Sequence, residues 1–351
     1  MPRLTMIKSP SRRSVLLGAA AVIAAPSYIR PGWAQGKRIV VVNSGGAMGD
    51  AKRRALYDPF TKATGIEVVT SAGPDLAKMK AQVDRKDVEW DVTDLADAWV
   101  PAGVRLGLLE RVDTSIVNFD GCIPQAKHDY AVGGTIYTGG IAFPTNRLDG
   151  KVARTWPEFW DVKGVPGRRG LRNRVTDTLE IALMGDGVPA SQVYPCDVER
   201  AFKALDKIKP HVSHWIPQTA QTVSLIQGNE TDFTFTYTTR VKDLQAAKVP
   251  IDFSFRQNIL GIGWIGVLKG TKNRDAAMRF LAFTMDRDRQ VELANLSGDA
   301  PTFADALAKV DPAVKKWLPD ITSPDNLFVN AGWWDSRIDE LNLRFKEWLL
   351  T

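Results

Sequence analysis

The chain opens its folded part with a block of apolar residues that changes period twice. Ile39-Val40-Val41-Val42 is apolar and β-branched throughout, as expected of a parallel strand covered on both faces. Asn43-Ser44-Gly45-Gly46 breaks the run with residues that tolerate positive φ and let a ligand approach the backbone. From about Met48 to Ala63 the spacing predicts a helix, with Leu56 and Phe60 four apart on its apolar side. Gly65 suits its C-terminus, and Ile66-Glu67-Val68-Val69 resumes the sheet. Units of this kind place ligands beyond the carboxyl ends of the strands, at the glycine turn.

The pattern continues as α/β. Pro74 to Val83 carries Leu76, Met79 and Val83 on one helical side, and Trp90 to Leu95 reads as the next strand, ending in Ala96-Asp97-Ala98-Trp99. Ile136 to Asn146 is extended and glycine-containing, as is Leu260 to Leu268. Between them lie predicted helices at Thr178–Gly185, Asp197–Ile208 and Thr219–Gln227. Thr231 to Tyr237 alternates polar and aromatic residues, which predicts a strand with one face to the core and one to solvent. Helices follow at Asn273–Asp286 and Arg287–Leu296, and Trp333–Leu350 reads as one amphipathic helix. Two α/β lobes joined by extended segments form a clamshell, with ligand expected in the cleft.

Composition sets the class and the N-terminus revises it. At 351 residues, 44% hydrophobic and 25% charged, the chain has room for two cores. Its net charge of +6 suggests acidic partners until Met1–Ala34 is read separately. Arg12-Arg13, an alanine-rich apolar run from Val15 to Ala25, and small residues at Gly32 and Ala34 form an export signal of twin-arginine type. The run is too short for a permanent bilayer span. Cleavage near Ala34 removes five of 46 basic residues and none of 40 acidic ones, leaving +1. Nucleic-acid binding loses its main support. Cys122 and Cys196 then reach an oxidising compartment, either bridged or as separate thiols.

Several stretches resemble one family: Trp156–Asp161, Gly164–Leu171, Thr178–Leu183, Asp186–Pro189, Tyr194-Pro195 with Asp197–Phe202, and Asp275–Phe283. Trp333-Trp334, Leu341-Asn342 and Trp348-Leu349 also fit. Together they are similar to extracytoplasmic solute-binding proteins of ATP-binding-cassette (ABC) importers, in the spermidine/putrescine-binding group. The resemblance implies a two-lobed type II periplasmic-binding fold with crossover strands near Tyr137–Asn146 and Leu260–Val267. The lobes are then expected at 37–140 plus about 264–300, and at 141–263 plus about 301–351. It also implies a periplasmic, monomeric receptor without catalysis, which passes a small-molecule solute to a membrane permease. No cofactor, metal or nucleic acid is expected.

Candidate ligand residues follow, each with a structural alternative. Asn43, Ser44, Gly45 and Gly46 form either a ligand lip or a tight strand-to-helix turn. Asp97 and Trp99 would pair with an amine and stack on it, or cap and pack the lobe. Thr178 and Glu180 lie where the resemblance places polyamine-binding acids, though Glu180 also suits a helix N-terminus. Tyr237 follows the alternating strand; Arg240 would bind a carboxylate or tie the lobes together. Trp264 lies on the second crossover, where the resemblance calls for an aspartate and this chain has none. Burying a dication without enough carboxylates is costly, so an amino acid derivative or organic acid competes with a polyamine. His211-x-x-His214 is half a metal site at most. The rival of another class is an exported α/β hydrolase, with few histidines to serve it.

Overall fold

A computed structural model describes residues 38–351. The expected export signal, with its paired arginines and cleavage near Ala34, lies outside the described residues.

Eleven strands form a single continuous sheet. In chain order they are β1 (Arg38–Asn43), β2 (Glu67–Ala72), β3 (Val92–Leu95), β4 (Lys127–His128), β5 (Ala131–Pro144) and β6 (Arg169–Arg172). Then come β7 (Val212–Ile216), β8 (Phe233–Tyr237), β9 (Ile251–Phe253), β10 (Ile259–Val267) and β11 (Leu327–Phe328). The spatial order is β2-β1-β3-β10-β5-β8-β6-β7, with β11 on β10 and with β4 and β9 on β5. β1 pairs in parallel with β2 and β3 at one end, and β6 with β7 and β8 at the other. The long strands β5 and β10 lie antiparallel in the middle. They are the two crossovers, at the glycine-containing segments the sequence marked.

Each end of the sheet carries its own core. The first gathers Ile39, Val41, Phe60, Ile136, Ile262 and Phe280; the second gathers Ile141, Trp156, Phe159, Phe235, Ile259 and Trp334. The change of core between Ile136 and Ile141 on β5, and between Ile259 and Ile262 on β10, places the lobe boundary within the paired strands. Phe303, Ala306, Val310 and Ile321 pack in the first core, Trp317 packs with Ala142, Val223 and Val241, and Leu327 packs in the second core. On β10, Leu260 and Ile262 face the first core.

The opening unit folds as its pattern predicts. The helix runs from Gly46 through Thr64, with a wider π-type turn at Arg53–Tyr57, and ends at Gly65 with φ 72°. Asp75 caps the helix Leu76–Arg85 by accepting the Lys78 amide. Two readings need correction. Thr234 and Thr236 on β8 are buried rather than turned to solvent, because the helix Gln221–Gln227 covers them. The Thr222 hydroxyl shares a hydrogen bond with Thr236 Oγ1 at 2.6 Å, and its carbonyl accepts from Thr234 Oγ1 at 2.9 Å. The C-terminal helix is two helices, Ala331–Asp335 and Ile338–Leu350. Cys122 and Cys196 are both free and buried, one in each core.

Candidate functional site

The crossovers and the strand ends around them enclose adjoining cavities of about 600, 480 and 180 Å³, and Tyr137 of β5 lines all three. Gly261 lies opposite Tyr137 in the β5–β10 register, and a Cβ there would overlap the tyrosine ring. The glycine on one crossover therefore makes room for the aromatic on the other.

Tyr137 donates its hydroxyl to Asp97 Oδ2 at 2.5 Å. Asp97 Oδ1 accepts the Trp264 indole N–H at 2.9 Å and the Ile262 amide at 3.4 Å. Burial pushes the Asp97 carboxyl up to about 6, and these three donors only partly offset it. The Tyr237 ring meets Tyr137 edge-on, centroids 5.8 Å apart, so one tyrosine from a crossover and one from the C-lobe wall the cleft.

The C-lobe wall is rich in cations. Arg174 donates to the Tyr237 hydroxyl at 2.5 Å and to the Asp177 carboxylate, while its Nε–H is buried without a partner. Burial alone would lower the Arg174 pKa, but Asp177 and Tyr237 outweigh it and raise it. Asp177 sits at φ 65°, an uncommon backbone state for a residue other than glycine. Arg172 donates to Thr219 Oγ1 at 2.5 Å and so fixes a loop that lines the largest cavity. Tyr237, Thr239, Arg240, Lys242 and Asp243 line the same cavity from the end of β8 and the helix Thr238–Ala246.

The N-lobe contributes Ser44, Met48, the Lys52–Asp94 ion pair at 2.6 Å, Trp99 and Asp299. Outside the cavities, Arg105 of the N-lobe reaches Asp335 of the C-lobe at 3.0 Å.

Of the expected ligand residues, Ser44, Trp99 and Trp264 line one cavity, Asp97 another, Arg240 the largest, and Tyr237 two of them. Asn43, Gly45 and Gly46 do not. Asn43 is buried and its Oδ1 accepts the Gly45 amide at 2.7 Å; Gly45 and Gly46 take φ 70° and 59°. This part of the lip is the tight turn. Thr178 and Glu180 are also displaced from the cleft. Both are buried in the C-lobe, where Glu180 Oε1 accepts from Tyr194 OH at 2.5 Å and Trp334 Nε1 at 2.7 Å. Burial pushes Glu180 up to about 7. Its place in the first turn of a helix gave no sign that this face points inward.

Tyr137, Arg174, Asp177, Lys52 and Asp299 were missed. Arg174 and Asp177 lie just upstream of the helix that drew attention, and Tyr137 lies inside a recognised crossover. Asp299 follows a helix-ending glycine and has no local signal at all. Among the described residues, no group of three or more His, Cys, Asp or Glu side chains is placed to hold a metal.

The profile of the bacterial extracellular solute-binding protein family matches residues 55–319. The chain belongs to this family. The solute-binding protein is 30% identical over 326 residues to the gamma-aminobutyric acid (GABA)-binding protein of Pseudomonas aeruginosa, covering 90% of this chain and 92% of that one. It is 21% identical over 311 residues to the spermidine/putrescine-binding periplasmic protein of Salmonella typhimurium, covering 84% and 86%. The solved Atu4243–GABA receptor superposes with a TM-score of 0.80 at 31% identity, over 89% of this chain and 98% of that one. The fold is the two-lobed periplasmic-binding type. The protein is a substrate-binding receptor of an ABC transporter for small solutes, and such receptors deliver their solute to a membrane permease. Its relatives are extracytoplasmic solute receptors, not enzymes.

Proposed function

We propose that this receptor captures a small zwitterionic amino acid, of the ω-amino-acid class, and releases it chemically unchanged to its permease. The carrying observation is the distribution of charge across the cleft. Arg174, Arg240 and Lys242 line it from the C-lobe with Asp177 and Asp243, three cations against two acids, while Asp94, Asp97 and Asp299 line it from the N-lobe with Lys52, three acids against one cation. A ligand with a carboxylate at one end and an ammonium at the other satisfies both walls, and guanidinium groups suit carboxylates by geometry as well as charge.

A polyamine fits less well. Each of its ammonium groups needs carboxylate partners once removed from water, and on the C-lobe wall the cations Arg174, Arg240 and Lys242 outnumber the acids Asp177 and Asp243. The relative named for GABA binding is also more similar in sequence than those named for polyamines. The amino-acid alternative is therefore better supported than the polyamine reading.

The working form is an exported monomer, its leader removed near Ala34. N-terminal sequencing of protein recovered from the producing cell tests the cleavage, and light scattering tests the monomer.

The decisive experiment is calorimetry of the exported protein with GABA, 5-aminopentanoate, putrescine and spermidine. Binding of an amino acid with recovery of the intact ligand supports the reading. Binding of a polyamine alone, or turnover of the ligand, overturns it.

A further inference from the structure

The N-lobe presents three carboxylates to the cleft, and their surroundings separate them. Asp94 is matched by Lys52 at 2.6 Å. Asp97 accepts three hydrogen bonds, from Tyr137, Trp264 and Ile262. Asp299 is different. It is only 8% exposed, yet among the described residues no hydrogen bond or ion pair reaches its carboxylate. A carboxylate shielded from most of its water, with Lys52 and Lys242 near but not bonded to it, is costly and gains from an added cation.

Its position is built. The helix Arg287–Ser297 ends at Gly298, φ 81°, whose amide bonds Ala294 O at 2.8 Å. Directly after Asp299, Ala300 exchanges backbone hydrogen bonds with Ile136 at 2.8 and 2.9 Å, which sets Asp299 beside Tyr137 on β5. The side chain thus lines both larger cavities at their junction, opposite the helix that carries Arg240. Leu296 and Ser297 line the cavity as well, so the negative end of their helix faces it. Lys52 and Lys242 are the cations that face Asp299; Lys52 is engaged by Asp94, and the Lys242 ammonium lies against Gly298.

We infer that Asp299 is the residue that recognises the ligand's ammonium group, while Asp97 positions Tyr137 and Trp264. The assignment rests on the zwitterion reading and sharpens it: the solute lies across the junction of the two larger cavities, carboxylate toward the C-lobe.

Calorimetry of wild type and Asp299→Asn with GABA and with butyrate, its des-amino analogue, tests this. Wild type should prefer GABA. Asp299→Asn should lose GABA affinity by roughly 30-fold or more while butyrate binding changes little, so that the preference collapses. Equal losses for both ligands, or an unchanged preference, would overturn the assignment alone. A wild type that binds no amino acid would overturn the zwitterion reading and the assignment with it. If the variant does not fold, wild type still decides. Burial pushes the free Asp299 up to about 7, so pairing with an ammonium should release protons near neutral pH, measured as buffer-dependent binding heat. Arg240 and Asp243 share the cavity, and both are exposed there. GABA binding without proton release would count against Asp299.

Discussion

Asp97 Oδ1 accepts the indole N–H of Trp264 at 2.9 Å, so two residues expected to hold solute hold each other. The second oxygen takes the Tyr137 hydroxyl at 2.5 Å. One carboxylate therefore joins the turn after β3 to both crossover strands. That is a positioning role: it fixes an indole and a phenol on the cleft wall and leaves few lone pairs for an incoming amine.

Tyr137→Phe keeps the ring and removes one of the three donors. Taking a donor from a buried carboxylate costs about 1–3 kcal/mol. The expected result is a lower urea midpoint with the slope unchanged, and an Asp97 carboxyl that titrates above its present value of about 6. An unaltered midpoint together with an unaltered titration would show that the bond contributes nothing.

Gly261→Ala tests the same centre from the opposite strand. The new methyl would overlap the Tyr137 ring, and the ring cannot retreat without leaving Asp97. Overpacking of this kind costs about 1–3 kcal/mol. Ligand affinity should fall as well, because Tyr137 lines every part of the cleft. Wild-type affinity in Gly261→Ala would mean that the ring position is not critical.

The frame was legible because it depends on local pattern. Ile39 to Val42 could only be a strand covered on both faces, and the glycine-containing segments at Tyr137 and Leu260 marked the crossovers. The resemblance extended this to the whole architecture. What stayed hidden depends on partners far along the chain. Thr234 and Thr236 look solvent-facing until a helix with no obvious claim on them is laid across. Glu180 looks like an ordinary first-turn acid until Tyr194 and Trp334, the latter 154 residues away, are found bonded to it. Asp299 looks like a loop residue until Ile136 is seen to hold its neighbour.

Glu180 gives a pH prediction. Its carboxyl is raised from an ordinary 4.5 to about 7 by burial, with Asp177 adding to the shift and with Tyr194 and Trp334 opposing it. Between those values the folded protein binds more protons than the unfolded chain. This group's contribution to stability is therefore complete below about pH 4.5 and is lost as pH rises through about 7. Glu180→Gln keeps an acceptor for both donors and carries no charge to bury. Its stability should fall less between about pH 5 and 8 than that of wild type, a difference on the order of 1–3 kcal/mol. Parallel stability curves for the two proteins would refute the assignment.

Arg240 separates binding from folding. It is exposed, and among the described residues it enters no ion pair. Arg240→Ala should therefore leave the free protein within about 0.5 kcal/mol of wild type. The guanidinium lines the cavity opposite Asp299, and a carboxylate placed there gains a charge-assisted bond worth about 1.5–3 kcal/mol. Removing it should weaken GABA binding by roughly 10- to 100-fold. The uncharged amide of GABA supplies the control, since it keeps the ammonium and lacks the carboxylate. It should bind wild type weakly and lose little more in the variant. A variant that weakens both ligands alike would place the solute's carboxylate elsewhere, with the buried, unpartnered Arg174 Nε–H the next group to test.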